Sequence, residues 1–199
     1  MTASLIPHKV ASITPINGVN KGSKVADVAR GILPPGSYVE GGADSIANAL
    51  GDLVNALSDS NNPQDGLAAL ETLTTQGTTQ LNDALGWKGV NRWSCAGTNE
   101  DAWINGNKIK FFSWTGTSVW TNWTDVTDPF LGVTALAFGS EANDGLVGEC
   151  STKMGNVIGT HYDMNHVDAI NHLFGARSWR TDPVSLYRSH ANRLKNRGL

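Results

Sequence analysis

The sequence predicts an α/β fold, and the order of its segments carries that prediction. Residues 108–114 are rich in β-branched and aromatic side chains, and residues 155–160 form a second short apolar segment. Segments whose apolar residues recur every three or four positions lie before and after them. Strands that intersperse with helices in this way are typical of one α/β domain rather than of separate all-α and all-β parts.

The amino-terminal half is predicted to be mostly helical. Residues 9–14 form a short candidate strand that Pro15 ends. Ser23 is a good helix cap, and a short helix should follow it until the Pro34-Pro35-Gly36 sequence. Further helices are predicted over 45–57, from Asn62-Pro63 to Leu73, and near 79–85.

The carboxyl-terminal half is predicted to hold the strands and the last helices. Asn105-Gly106 is typical of a hairpin turn and leads into the strand at 108–114. The strand at 155–160 is followed by a helix that should begin at Val167 and run to Leu173. A closing helix is predicted over 183–194.

Composition excludes several classes of protein. Of the 199 residues, 40% are hydrophobic and 17% are charged, as in a globular domain. The net charge of -3 argues against a nucleic-acid binder, which needs a basic face. Only 177–197 is locally basic, and a solvated helix face explains that better than a binding patch. The first seven residues have neither the charge nor the long apolar run of a secretory signal or membrane span.

Two cysteines, Cys95 and Cys150, leave two interpretations open. They lie in loop-like sequence and outside any Cys-x-x-Cys motif, which favours one disulfide and an oxidising compartment. Two free thiols in a cytosolic protein are the alternative.

Asp144 and His166 are the candidate acid and base of a nucleophile-activating device. Each is expected in a loop after a strand, where the acid can orient the imidazole as a general base. Asn143 and Gly145 supply turn chemistry around the acid, although Asn-Asp-Gly is also a common simple turn. The chain contains no Gly-x-Ser-x-Gly nucleophile motif, so the sequence predicts part of a hydrolase.

Asp125 and Asp168 are candidate ligands of a hard cation such as Ca²⁺, which prefers carboxylate and carbonyl oxygens. Surface or capping roles are the alternative for both. A zinc site is also conceivable, but its spacing matches no common zinc motif; its ligands would be His161, His166, Asp168 and His172. The helix at 45–57 suits either the core or a movable cover over an apolar pocket.

Five motifs resemble the carboxyl-terminal two thirds of the secreted bacterial triacylglycerol lipases of the Pseudomonas and Burkholderia type. The resemblance covers nearly the whole chain, in order and with similar spacing. The motifs are Asn17-Gly18-Val19-Asn20-Lys21-Gly22-Ser23, Phe111-Phe112-Ser113-Trp114-Thr115-Gly116, Ala142-Asn143-Asp144-Gly145-Leu146-Val147-Gly148, Met164-Asn165-His166-Val167-Asp168 and His190-Ala191-Asn192-Arg193-Leu194-Lys195.

The resemblance implies an α/β-hydrolase fold and roles for particular residues. Asp144 matches the acid and His166 the base of a Ser-His-Asp triad. Asp125 and Asp168 match the carboxylate ligands of a structural calcium, which the backbone carbonyls of His172 and Ala176 would complete. Cys95 and Cys150 match a disulfide.

The resemblance also implies a domain organisation. Residues 1–199 would form one incomplete hydrolase domain, with 36–86 as a helical lid inserted in it and the lid helix near 43–57. The nucleophile and oxyanion-hole residues would precede residue 1.

Implied partners are a lipid or ester substrate, a lipase-specific foldase, and either a second copy or a complementing nucleophile-bearing segment. Nucleic acid is not among them, and the implied location is secreted. A catalytically inactive calcium-binding remnant or self-associating module is the alternative function.

Overall fold

A computed structural model describes residues 2–32, 44–46, 48–50, 66–171 and 175–199. It has the mixed α/β architecture that the sequence predicts. The strands are β1 (Ser12–Ile13), β2 (Asp101–Ile104), β3 (Asn107–Gly116) and β4 (Asn156–Tyr162). The α-helices are α1 (Thr2–Leu5), α2 (Lys24–Ala29), α3 (Gly66–Leu73), α4 (Thr75–Leu85), α5 (Asp128–Thr134), α6 (Glu149–Thr152) and α7 (Pro183–Asn196). Short 3-10 helices span Pro7–Lys9, Ala135–Phe138 and Asp168–Ile170.

Strand β3 is the centre of a four-stranded sheet. It pairs in parallel with β1 through Lys110 and Phe111, and antiparallel with β2 through its first four residues. Its carboxyl-terminal half pairs in parallel with β4. The chain therefore leaves β3 and β4 at the same edge of the sheet, and the loops that follow them begin close together.

The hairpin between β2 and β3 forms where the sequence predicts it. Asn105 and Gly106 both have positive φ angles, of 47° and 78°. Two consecutive residues in this region match the twist of the flanking strands, which is why Asn-Gly is favoured in such turns.

Helix α2 also begins at its predicted cap. The Ser23 hydroxyl accepts hydrogen bonds from the N–H groups of Val25 and Ala26. These bonds satisfy two donors that the first helical turn leaves without partners. Helix α7 begins in the same way at Asp182, whose carboxylate accepts the N–H of Val184.

Two predicted elements differ in the structure. Strand β1 is shorter than 9–14 because Pro7 opens a 3-10 helix that continues to Lys9. The prediction of a helix from Val167 to Leu173 is wrong for the residues that the structure describes, which end at Asn171. There the chain forms only the 3-10 helix Asp168–Ile170, since Asn171 adopts a left-handed conformation with φ of 50° and ends it.

The proposed lid, 36–86, is described only in part. Residues 36–43, 47 and 51–65 lie outside the described residues, as do the predicted Asn62-Pro63 start and much of the helix at 45–57. Residues 44–46 and 48–50 are helical, and Ile46 is fully buried against the apolar side of α2. This part of the segment belongs to the core in the conformation described.

The core lies on both faces of β3, where Ile109, Phe111, Phe112 and Trp114 are all buried. His190 of helix α7 is buried here, and its ring lies edge-to-face with those of Phe112 and Trp114 at centroid distances of 5.2 and 5.0 Å. Because the carboxyl-terminal part of this strand is buried on both faces, the apolar residues Phe111 and Phe112 follow one another directly.

Cys95 and Cys150 form a disulfide with a Cα–Cα distance of 4.8 Å. The interpretation as a disulfide is confirmed over that of two free thiols. The bond ties the loop before β2 to helix α6. No helix among the described residues combines the length and apolarity needed to cross a membrane.

Candidate active site

Asp144 and His166 meet directly. The imidazole Nδ1 of His166 lies 2.8 Å from Oδ2 of Asp144. The other carboxylate oxygen, Oδ1, accepts the backbone N–H groups of Leu146 at 3.0 Å and Val147 at 2.7 Å. Asp144 is fully buried, and both of its oxygens are bound by protein groups. These hydrogen bonds hold the carboxylate in its orientation toward the imidazole.

The loop that carries Asp144 does not directly follow a strand, contrary to the sequence prediction. It comes after α5 and a 3-10 helix and is closed by a β-bridge between Asn143 and Gly148. Gly145 has a φ of 97°, and a Cβ atom there would lie 2.7 Å from Cβ of Leu131. Only glycine fits this turn, which is why the acid is followed by one.

Neighbouring elements hold the acid loop from two sides. The hydroxyl of Thr134, in α5, donates a hydrogen bond of 2.6 Å to the carbonyl of Gly145. The hydroxyl of Ser23, which also caps α2, donates one of 2.5 Å to the carbonyl of Leu146. Two helices thus fix the position of the carboxylate.

His166 lies in the loop that follows β4. Its backbone N–H donates to the carbonyl oxygen of Asp144 at 2.8 Å, so the two residues are linked through main chain as well as side chain. The 3-10 helix that comes next is tied to α7, because the Tyr187 hydroxyl donates to the carbonyl of Ala169. The His166 side chain is 30% exposed. No described residue hydrogen-bonds to its Nε2 atom, which leaves that atom open to a reactant.

The pKa of His166 reflects two opposing causes. Burial of the imidazole by itself lowers the pKa, but the charge of Asp144 and its hydrogen bond outweigh burial and raise the pKa above its ordinary value. The pair therefore stabilises an imidazolium once Nε2 has taken a proton.

Asp168 has a buried carboxylate oxygen that no described protein group compensates. It is fully buried, and its Oδ1 is the one buried side-chain polar atom without a hydrogen-bond partner in the described part of the chain. Burial raises the pKa of Asp168 to about 6, and the charges of Asp125 and Asp128 act in the same direction. A buried carboxylate in this state is destabilising unless a cation or a proton neutralises it.

The structure describes two of the other three predicted calcium ligands, Asp125 and Ala176. Asp125 is buried, and its Oδ1 accepts the N–H and the hydroxyl of Thr127. His172 lies outside the described residues, while Ala176 is half-buried. Among the described residues no three His, Cys, Asp or Glu side chains come together as a metal site. Of the predicted calcium ligands, the described part of the chain holds the carboxylates of Asp125 and Asp168, and carboxylate oxygen is a donor type that calcium prefers.

The sequence did not predict a role in the site for three further residues, Asp128, Asn165 and Asn17. All three are buried polar side chains beside the His166 loop. Asn165 Nδ2 donates to Asp128 Oδ1 at 2.8 Å, and Asn17 Nδ2 donates to the carbonyl of Asn165 at 3.1 Å. The only sequence signal was that Asn17 and Asn165 fall within the quoted motifs.

Comparison with known proteins gives close relatives but no matching family model. The triacylglycerol lipase of Vibrio cholerae serotype O1 is 46% identical over 200 residues, which cover 99% of this chain and 62% of that protein. The triacylglycerol lipase of Pseudarthrobacter phenanthrenivorans is 35% identical over 225 residues, covering 99% of this chain and 70% of that protein. That of Pseudomonas fragi is 34% identical over 206 residues and covers 99% and 69%.

The chain belongs to the triacylglycerol lipase family. The resemblance stated from the motifs is thereby confirmed, and the mixed sheet and helices are those of an α/β-hydrolase fold. This lipase-family chain spans about 62% of the length of its Vibrio relative.

Proposed function

We propose that this chain supplies the acid and base of a carboxylic ester hydrolase that acts on lipid esters such as triacylglycerols. The observation that carries the proposal is the 2.8 Å contact between His166 Nδ1 and Asp144 Oδ2, with the second carboxylate oxygen locked by two backbone N–H groups. The names of the relatives supply the reaction class.

In the proposed mechanism each atom of the pair has a step. Asp144 accepts the Nδ1–H of His166 and so keeps Nε2 unprotonated in the resting imidazole. Nε2 takes the proton of a serine hydroxyl while the serine oxygen bonds to the ester carbonyl carbon. The same proton then passes to the departing alcohol oxygen when the ester C–O bond breaks. A water molecule repeats the cycle on the acyl-enzyme and frees the acid.

The nucleophile is the part of the device that the 199 residues do not reveal. The chain has no Gly-x-Ser-x-Gly motif, and this favours a second candidate function, a non-catalytic calcium-binding module. The Asp144–His166 pair favours the hydrolase, because a module that only bound a cation has no need of an imidazole with an open Nε2.

A fluorophosphonate probe followed by mass mapping, applied to the chain together with the complementing nucleophile-bearing segment, separates the two functions. The hydrolase predicts covalent labelling of one particular serine, and loss of that labelling in His166→Ala. His161→Ala is the matched control, since His161 is exposed on β4. Absence of labelling, or labelling that survives His166→Ala, contradicts the hydrolase and leaves the module.

The same proposal includes a structural calcium between Asp125 and Asp168, with the carbonyls of His172 and Ala176 as further ligands. Its support is the partnerless Oδ1 of Asp168 and the proximity of the Asp125 charge. When bound, the ion would neutralise these carboxylates and link the turn at Asp125 to the segment two residues beyond His166. It would stabilise the site and take no part in proton transfer.

Partners and location follow as parts of the proposal. The disulfide fits a secreted protein, since such bonds persist in oxidising compartments. The 36–86 segment would act as the lid, and a dedicated foldase would assist folding. Within the described residues β1 pairs only with β3, so its other edge is open to a second copy or to a nucleophile-bearing segment. Light scattering coupled to size-exclusion chromatography tests self-association, and a monodisperse monomer with a rapidly exchanging amide at Ser12 contradicts it.

A further inference from the structure

We infer that Asn165 is a positioning residue for the Asp144–His166 pair and that Asp128 is the carboxylate that orients its amide. The inference rests on the proposed function for its meaning, because it concerns the direction of the proposed base. Its evidence is a buried hydrogen-bond network that neither the catalytic pair nor the calcium site requires.

Every polar group of the Asn165 side chain has a partner. Its Oδ1 accepts the N–H groups of Val167 at 2.8 Å and Asp168 at 2.7 Å. Its Nδ2 donates to Asp128 at 2.8 Å and reaches Thr121 Oγ1 at 3.5 Å. An amide has two acceptor sites and two donor hydrogens, so the side chain is saturated in this one orientation.

The main chain of Asn165 is held as firmly. Its N–H donates to Asp168 Oδ2 at 3.0 Å, and its carbonyl accepts Asn17 Nδ2 at 3.1 Å. The main chain is therefore held on both sides of His166, at Asn165 and at the two N–H groups that follow, which bind the Asn165 side chain. The N–H of His166 itself is bound to Asp144, so the backbone fixes the direction in which the imidazole leaves the chain.

Asp128 acts as an acceptor and not as a cation ligand. Its Oδ1 accepts a hydrogen bond from the Asn165 amide, and its Oδ2 accepts the N–H groups of Thr121 at 2.9 Å and Asn122 at 3.1 Å. Asp168, in contrast, keeps an oxygen without a partner. Asp128 thus links the loop that follows β3 to the loop that follows β4. Its negative charge favours the orientation in which the NH₂ group of the Asn165 amide faces it.

A swap of the two side chains tests this arrangement. Asn165→Asp alone sets a carboxylate against Asp128, and their repulsion should turn the 165 side chain away from Val167 and Asp168. Adding Asp128→Asn restores a donor opposite an acceptor. The new amide oxygen can still accept Thr121 and Asn122, and the new carboxylate can still accept Val167 and Asp168. All these bonds are available again, with the negative charge moved from position 128 to position 165.

The readout is the far-downfield proton resonance of His166 Nδ1–H, which reports its hydrogen bond to Asp144. It is measured by NMR on the whole 199-residue chain, assigned by its loss in His166→Ala, and needs no hydrolysis. We expect the resonance in the wild-type chain, its loss in Asn165→Asp and its return in the double variant. Asn20→Asp is the matched control, since Asn20 donates to Thr152 away from the pair and its replacement should leave the resonance in place.

Two results overturn the inference. One is a resonance that persists in Asn165→Asp while only the melting temperature falls, which shows a purely structural role. The other is a folded double variant, with its disulfide intact, that still lacks the resonance. Probe labelling of a serine, with the nucleophile-bearing segment present, is scored separately. If the resonance behaves as expected and no serine reacts, the hydrolase fails and the positioning role stands; if a serine reacts and the swap does not rescue the resonance, the reverse holds.

Discussion

His166 is held to Asp144 at two points, by Nδ1 on the carboxylate and by its backbone N–H on the carbonyl oxygen, each at 2.8 Å. The double link fixes the direction of the ring relative to the acid. A side chain held in this way needs little reorganisation when a proton arrives. The predictions below test what depends on this relationship and on the contacts around it.

Asp144→Asn should slow serine labelling by about 10³–10⁴-fold, because an amide in this position favours the wrong imidazole tautomer. The rate is measured with the fluorophosphonate probe at pH 7. Asp27→Asn is the matched control, since Asp27 is also buried and bonded to backbone and hydroxyl donors, here those of Thr75. A rate in Asp144→Asn equal to that of the control would remove the acid from the device.

Chelation should lower the melting temperature. At a calcium concentration a hundredfold above Kd the ion contributes about 2.7 kcal/mol, or roughly 5–10 °C for a chain of this size. Asp125→Ala should melt at the lower temperature and no longer respond to EDTA. Asp83→Ala, at an exposed carboxylate paired with Arg92, should respond like the wild type. Equal melting of the wild-type chain with and without EDTA argues against the site.

Glu100 should make stability depend on acid pH. Its carboxylate bonds to Arg197 through both oxygens and also to Lys110 and Asn156. The Arg197 bond is the main cause that lowers the pKa of Glu100 from 4.5 to about 2. The folded state therefore binds this proton more weakly than the unfolded state. The stabilisation is complete above pH 4.5 and is lost as pH falls toward 2.

Glu100→Gln tests that expectation by urea unfolding between pH 7 and pH 3. We expect a loss of about 1 kcal/mol at pH 7, because part of the network is exposed, and a flatter acid limb. Glu71→Gln is the control: this carboxylate is 69% exposed in its pair with Arg30, and its loss should cost less than about 0.5 kcal/mol. Parallel pH curves for wild type and Glu100→Gln would contradict the assignment.

Reduction of the Cys95–Cys150 bond should destabilise the chain. The bond closes a loop with a sequence separation of 55. For a loop of this length the chain-entropy model gives a loss of about 4 kcal/mol. Unfolding is compared with and without dithiothreitol, and the Cys95→Ser/Cys150→Ser double variant should match the reduced wild type and ignore the reductant. A double variant as stable as the oxidised wild type would show that the bond contributes nothing.

The elements that the sequence predicted well are those with local causes. Ser23 and Asp182 cap helices, and Asn105-Gly106 turns a hairpin, through bonds within a few residues. The meeting of Asp144 with His166 was also predicted, from the order of loops and from the family resemblance.

The elements that were missed depend on distant partners. Helix α5 has only seven residues and lies in a turn-like sequence, and its Asp128 is committed to Asn165, 37 positions away. The helix expected after Val167 fails because Asn165 and Asn171 impose tight turns at its two ends. No periodicity in the sequence reports such tertiary hydrogen bonds.

The central claim is that Asp144 and His166 serve an ester-cleaving serine, and a crystal structure of the chain with its nucleophile-bearing segment, after reaction with an organophosphonate ester, tests it most directly. The account predicts phosphorus bonded to one serine oxygen, with that oxygen within about 3 Å of His166 Nε2. It also predicts that the Nδ1 contact to Asp144 is retained. Phosphorus on a serine remote from His166, or an Nε2 that faces only unreactive side chains, would contradict the claim.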